Sequence, residues 1–338
     1  MSMEPRKVNV GRGEENHRSQ AEQQHAKFNW RVFMQQYGTI TAFIILCAIF
    51  TAFTDSFLTF NNIVTVMKQI SMIAIVASGL TFVVVAGEID LSIGSIAGLM
   101  GMLVAGALSS GIHTIWSVVI TLAVGTAAGF INGLSVAYIG VPSFIATLAS
   151  GTIALGLNYM YSGGKPIYEN IAAGFLWLGQ GYVGPVPVPV ILMGVVLVIA
   201  HTILNQTRFG RHVCAIGGNA EAARLCGVNV KGVKALAFTL AGFAAAFSGI
   251  VMTSRLASGQ PLAGEGLLTD ALAAVFVGAT VLKEGEAHIL GTFFGALMIG
   301  VISNGLILIN ATYYLQNVAK GVVILLAVTI TSVQQSRR

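Results

Sequence analysis

The strongest constraint on this chain is a succession of apolar runs longer than a water-soluble core requires, such as Ala42–Phe53, Ile289–Leu308 and Gly321–Ile330. With their flanks, these runs approach the ~20 apolar residues that carry a helix across a bilayer core. Only 9% of the 338 residues are charged and 55% are hydrophobic, whereas a soluble domain carries about 25% charged residues. Thirteen acids and eighteen bases cannot cover so large a surface with charge, so lipid is the expected solvent for most of it. Backbone polar groups cannot stay bare in lipid, so runs of this kind fold as helices; a membrane barrel would read as alternating ten-residue segments. The expected fold class is all-α, in a polytopic membrane protein.

Ten candidate spanning helices follow from the pattern, at roughly 33–53, 62–86, 92–109, 115–138, 143–161, 188–204, 234–253, 267–282, 289–309 and 314–332. With ten spans, both termini share a side with the loops near 87–91, 139–142, 205–233 and 283–288. That side holds fourteen of the eighteen basic residues, the others being Lys68, Lys165, Arg255 and Lys320. The positive-inside rule then places both termini in the cytoplasm. The net charge of +5 reflects this bias and calls for no nucleic-acid partner. Loop 162–187 falls outside, with turns at Gly163-Gly164, Pro166, Pro185 and Pro187.

Residues 1–30 are polar and lack an apolar h-region, so they read as a disordered cytoplasmic tail and not as a cleaved signal; residues 31–338 form the membrane domain. Three scattered cysteines make no disulfide framework. Forty glycines are many, and Gly125, Gly129, Gly133 and Gly291, Gly295 recur at helical spacing. Such stripes let helices approach closely, either within the chain or at a dimer face.

Ala86–Ser95 interrupts the apolar pattern with Glu88 and Asp90. Charge at membrane depth costs ~2.5–3.5 kcal/mol per residue on the insertion scale, so these carboxylates need partners or a wet cavity. Two roles fit. Gly87 ends one helix while Asp90 or Ser92 caps the next, or the group contacts a substrate path. Other polar residues in spans, Lys68, Gln69, Asn132, Asn158, Asp270, Asn304 and Lys320, suit either a polar path or helix-to-helix hydrogen bonds, and Asp270 is a candidate partner for Lys320. The candidate path residues are therefore Glu88, Asp90, Ser92, Asn132, Asn158, Asp270 and Asn304. In the 205–233 loop, Asn219 is a good N-cap, Ala220–Cys226 a short helix and Gly227 a natural stop. A short helix of this kind is either a solvated surface element or a docking element for another protein.

The decapeptide resembles the Gly-Gly-Ile-Asp-Leu-Ser-Val-Gly-Ser signature of bacterial ABC permeases for ribose, xylose, related monosaccharides and a furanose-like autoinducer. The likeness runs through Gly87, Ile89, Asp90, Leu91, Ser92, Gly94 and Ser95, with Glu88 in place of the commoner glycine. Thr207–Val228, Val141–Leu148, Ser254-Arg255-Leu256 and Gly291-Thr292 through Asn304-Gly305 extend it over nearly everything beyond the tail. Lys283–His288 departs from the family's usual Gly-Gly pair.

The resemblance implies a sugar-importing permease subunit of the bacterial cytoplasmic (inner) membrane. It implies work with a cytoplasmic ABC ATPase, an external or periplasmic solute-binding protein and a second permease copy or paralogue. It also assigns Gly217, Gly218, Asn219, Glu221, Ala222, Ala223 and Gly227 to docking on the ATPase. The chain carries no phosphate-binding loop, no metal spacing among its six histidines and no nucleophile elbow, so no catalytic residue, cofactor or metal is expected. An ion-coupled secondary transporter, a passive channel and a permease for branched-chain amino acids are the alternatives.

Overall fold

The computed structural model describes the backbone of residues 30–281 and 286–335, and the side chains of 39–281 and 286–329. The expected tail up to Asn29 lies outside the described residues, as do Lys283, Glu284 and Gly285 of the Lys283–His288 departure. Residues 1–38 make a unit of their own, and residues 39–338 form a second unit that holds the helical bundle.

In chain order the helices are α1 (Trp30–Phe53), α2 (Phe60–Val85), α3 (Ile93–Ser109), α4 (Thr114–Leu134), α5 (Ser143–Ser162), α6 (Ala173–Gln180) and α7 (Val188–Gln206). They continue with α8 (Arg208–Gly218), α9 (Ala220–Leu225), α10 (Val230–Leu256), α11 (Glu265–Ala279), α12 (Ile289–Leu308) and α13 (Tyr313–Gln335). A π-helical turn, Ser135–Ile139, continues α4, and a hairpin of β1 (Tyr182–Val183) and β2 (Val186–Pro187) precedes α7. All ten expected helices are therefore present as helices, within a few residues. Six of them, α2, α4 with its π turn, α5, α7, α10 and α12, are long and apolar enough to cross a membrane.

Burial divides these helices by role. In α2, every residue from Ile70 to Val83 is buried, and α10 and α12 are also mostly buried. By contrast, α4, α5 and α7 expose most of their apolar surface, including Ile115, Ile131, Ile153, Met160 and Val198. Exposed apolar side chains at that density belong to a surface solvated by lipid.

Small residues set the spacing inside. A Cβ on Gly125 would meet Ala246, on Gly129 the Phe238 carbonyl and Gly242, and on Gly133 Ala235. The α4 stripe thus lies against α10 of the same chain, where close contact replaces the missing hydrophobic drive. Gly291 and Gly295 meet Gly278 and Ala274 of α11 in the same way.

Two helix ends follow directly from glycine. Gly87 has φ 79° and Gly227 φ 83°, a region where side chains clash. At each, two hydrogen bonds close the helix: Glu88 N–H to Val83 O and Gly87 N–H to Val84 O, then Val228 N–H to Ala223 O and Gly227 N–H to Arg224 O, all 3.0 Å.

Three features were not expected. The 162–187 loop contains α6 and the hairpin, both too short to show a sequence period. The 205–233 loop contains α8 as well as α9; α8 buries Gly210, Val213 and Ile216 and ends at the Gly217-Gly218 pair. The expected 267–282 helix is 15 residues long and starts at Glu265, about 22 Å of helix.

Candidate functional site

Helix α3 begins inside the protein, because the segment that enters it is buried: Asp90, Ser92 and Ile93 are all fully covered. Residues 88–92 are not helical, so their amides need side-chain acceptors wherever water and lipid cannot supply one. Helix α5 supplies two. Ile89 N–H donates to Ser143 Oγ at 3.3 Å and Leu91 N–H to Thr147 Oγ1 at 3.0 Å. One helical turn separates these hydroxyls, so one face of α5 clamps the segment. Asp90 supplies the third acceptor, its Oδ1 taking Ser92 N–H at 2.8 Å and Ser92 Oγ–H at 2.5 Å. From α4, Asn132 Nδ2–H donates to Ser92 Oγ at 2.8 Å.

The result is a buried chain running Asn132, Ser92, Asp90, with Asp90 Oδ2 left without a hydrogen-bond partner. Neither expected cap forms by side chain: Ser92 makes no cap hydrogen bond, because its hydroxyl is held between Asp90 and Asn132.

Glu88 turns the other way and forms a partly buried ion pair with Lys234 in the first turns of α10. Beside it, α8 presses on the end of α2: a Cβ on Gly217 would strike the Val85 carbonyl oxygen, and a Cβ on Gly87 would touch Gly217. Gly218 has open space around it. The 86–92 turn is therefore gripped by α4, α5, α8 and α10 together.

In α9, the Asn219 side chain accepts Ala222 N–H at 2.9 Å, which is the expected cap. The alanine pair splits: Ala223 is buried, and Ala222 is exposed beside Glu221 and Arg224. Glu221 and Arg224 form an exposed ion pair at 2.5 Å, and hydrogen bonds from Arg224 hold the Glu221 carboxyl below its usual range. Leu225 is 77% exposed at the end of this helix, beside the Glu221–Arg224 pair. Sequence reading passed over it, although an exposed leucine next to a polar cap is the visible signal.

The remaining candidates lie elsewhere. Asn158 is buried and donates to the Pro261 carbonyl at 2.8 Å, leaving Oδ1 unpartnered. Asp270 pairs with Lys320 across α11 and α13 at 2.7 Å, the partnership considered from the sequence. Asn304 of α12 exchanges two hydrogen bonds with Asn62 of α2, at 2.9 and 2.8 Å, beside an apolar pocket lined by Phe57, Ile63, Val66 and Leu297. Sequence reading also missed Lys234, Ser143 and Thr147 as partners. The serine and threonine were visible as a hydroxyl pair at i and i+4 just after Pro142.

The family profile described as branched-chain amino acid transport system / permease component matches residues 62–328. The chain belongs to this family. This permease is 40% identical to the ribose import permease of Haemophilus influenzae over 299 residues, covering 88% of the chain and 93% of that protein. It is 40% identical to the ribose import permease of Bacillus subtilis over 312 residues, 92% of the chain and 96% of that protein. The ribose import permease of Escherichia coli is 38% identical over 308 residues, covering 90% and 96%. No solved structure matches the chain. The resemblance expected from the 86–95 and 207–228 motifs therefore holds, and the permease is a multi-pass membrane transport component, not an enzyme.

Proposed function

We propose that this permease is the membrane subunit of an ATP-driven importer that carries a monosaccharide or related polyol across a bacterial cytoplasmic membrane. The observation that carries the reading is the breadth of the likeness. The ribose import permeases match about nine-tenths of the chain, so the 86–92 turn, α8 and α9 all lie within it. In this reading α1 to α5, α7 and α10 to α13 cross the bilayer, and both termini lie on the cytoplasmic side with α8 and α9, as the basic residues favour.

The mechanism follows from the contacts around the turn. A cytoplasmic ATPase docks on α9 through Ala222, Leu225 and the Glu221–Arg224 pair. Its closure moves α8, which bears on Val85 and Gly87 at Gly217. That push reaches the 86–92 turn, which the Glu88–Lys234 pair, the α5 hydroxyls and Asn132 tie to three further helices. Shifting those helices against one another switches the path between its outward-open and inward-open states. Asp90 Oδ2 and Asn158 Oδ1, buried without partners, are the acceptors we assign to the path; Asp270 and Asn304 already hold Lys320 and Asn62. An external solute-binding protein delivers the sugar, and a second permease copy or paralogue completes the path.

A buried carboxylate with a free oxygen also fits an ion-coupled transporter, so the two readings must be separated by partner. Purification of the tagged chain from its native host in mild detergent is expected to bring down a Walker-motif ATPase. Repeated recovery of the chain alone would remove the importer reading.

A further inference from the structure

The sequence leaves four basic residues off the basic side, and the structure accounts for them unequally. Lys320 is paired with Asp270, and Lys165 is exposed. Arg255, in the last turn of α10, reaches Met72 of α2, and Lys68 stands one turn before Met72 in the half of α2 away from the 86–92 turn, about 25 Å from that turn along the helix.

Arg255 is partly buried, and its guanidinium meets Met72 Sδ at 4.0 Å. Among the described residues no carboxylate lies within ion-pair distance of it. A guanidinium offers five donors, and a thioether is a weak acceptor. So placed in a membrane protein, an arginine marks a point where an acceptor is expected to arrive.

The surroundings are built rather than incidental. Lys68 stands one turn before Met72 on the same face of α2; its ammonium lies 2.8 Å from Tyr182 Oη and 4.4 Å from the ring centroid. That contact fixes a ring that is 50% exposed. Gly179 N–H donates to Ser254 Oγ at 2.7 Å and Gln180 Nε2 to the Arg255 carbonyl at 3.2 Å, fastening α6 and the hairpin to the end of α10.

We propose that Arg255 and Tyr182, with Lys68 holding the tyrosine, form a contact site for sugar at the end of the path remote from α8 and α9. The guanidinium donates to sugar hydroxyl or ring oxygens. The electron-rich ring face meets the positively polarised C–H face of the sugar. A docking point for acidic residues of the binding protein would project its charge outward; Arg255 is instead recessed, and the Lys68 ammonium is engaged by Tyr182. The site rests on the importer reading and adds a specificity role to it.

The test uses proteoliposomes holding the chain with its ATPase and binding protein, and follows uptake of labelled ribose and labelled allose beside binding-protein-stimulated ATP hydrolysis. Arg255→Gln is expected to lower ribose uptake about tenfold or more, as loss of a charged hydrogen-bond donor does, to change the ribose-to-allose ratio, and to leave stimulated hydrolysis near the wild-type rate. Tyr182→Ala should lower uptake while Tyr182→Phe, which keeps the ring, retains most of it. Arg255→Lys and the tyrosine pair decide the matter if Arg255→Gln fails to accumulate in the membrane. Unchanged uptake and ratio would overturn the site, as would loss of stimulated hydrolysis in step with uptake, which indicates protein docking. Absence of ATP-driven uptake of every monosaccharide and polyol that the binding protein retains would instead overturn the importer reading, and the site with it.

Discussion

Asp90 spends one carboxylate oxygen on two hydrogen bonds from Ser92 and leaves the other free, so two substitutions separate its roles. Asp90→Asn keeps an acceptor for both bonds and is expected to preserve thermal stability in detergent while impairing uptake. Asp90→Ala strands the Ser92 amide and hydroxyl, and should cost about 1–3 kcal/mol in unfolding measurements. The Glu88–Lys234 pair, with side chains 16% and 20% exposed, calls for a double-mutant cycle. Glu88→Gln or Lys234→Met alone leaves a mostly buried charge and should destabilise by roughly 1–3 kcal/mol, between surface and fully buried pairs. The double variant should be less damaged than the two singles added together, a coupling that unfolding curves of the three variants would read out. At this scale the sequence exposed the anomalous residues well, because a carboxylate in an apolar run stands out. It could not supply their partners: Lys234 counts as one more cytoplasmic base, and Ser143 and Thr147 are ordinary helix hydroxyls until the backbone of 88–92 needs them.

Among the elements, α8 and α9 are the proposed coupling helices, and neighbouring residues provide the controls. Gly217→Ala places a methyl against the Val85 carbonyl, whereas Gly218→Ala points into open space. The first is expected to reduce uptake per ATP hydrolysed several-fold in proteoliposomes, and the second to match wild type; equal behaviour of the two would remove Gly217 from the transmission route. In α9, Ala222→Glu should weaken ATPase recovery in pull-downs with little loss of fold. Ala223→Glu buries a charge and should lower the melting temperature, which a detergent thermal-shift assay would detect. Helix ends were legible where chemistry dictates them, at Gly87, Asn219 and Gly227. Helix α8 was hidden because its buried residues, Gly210, Val213 and Ile216, are few, and Gly217 near its end serves as a contact point against Val85.

For the molecule as a whole, hydropathy made the helices legible because lipid leaves a backbone no alternative. It did not reveal that α2, α10 and α12 are inner helices while α4, α5 and α7 face outward, since both kinds are apolar all round. Helix-to-helix spacing was readable only as glycine stripes, and the partner of each stripe required the structure. In the proposed mechanism, ATP hydrolysis received through α8 and α9 drives sugar uptake. Uptake of labelled ribose by proteoliposomes containing the chain, its ATPase and its binding protein tests this most directly, with ATP inside or absent and with or without a protonophore. Uptake is expected to require ATP and to persist when the ion gradient is dissipated. Uptake that runs without ATP, or collapses with the gradient while ATP remains, would contradict that mechanism.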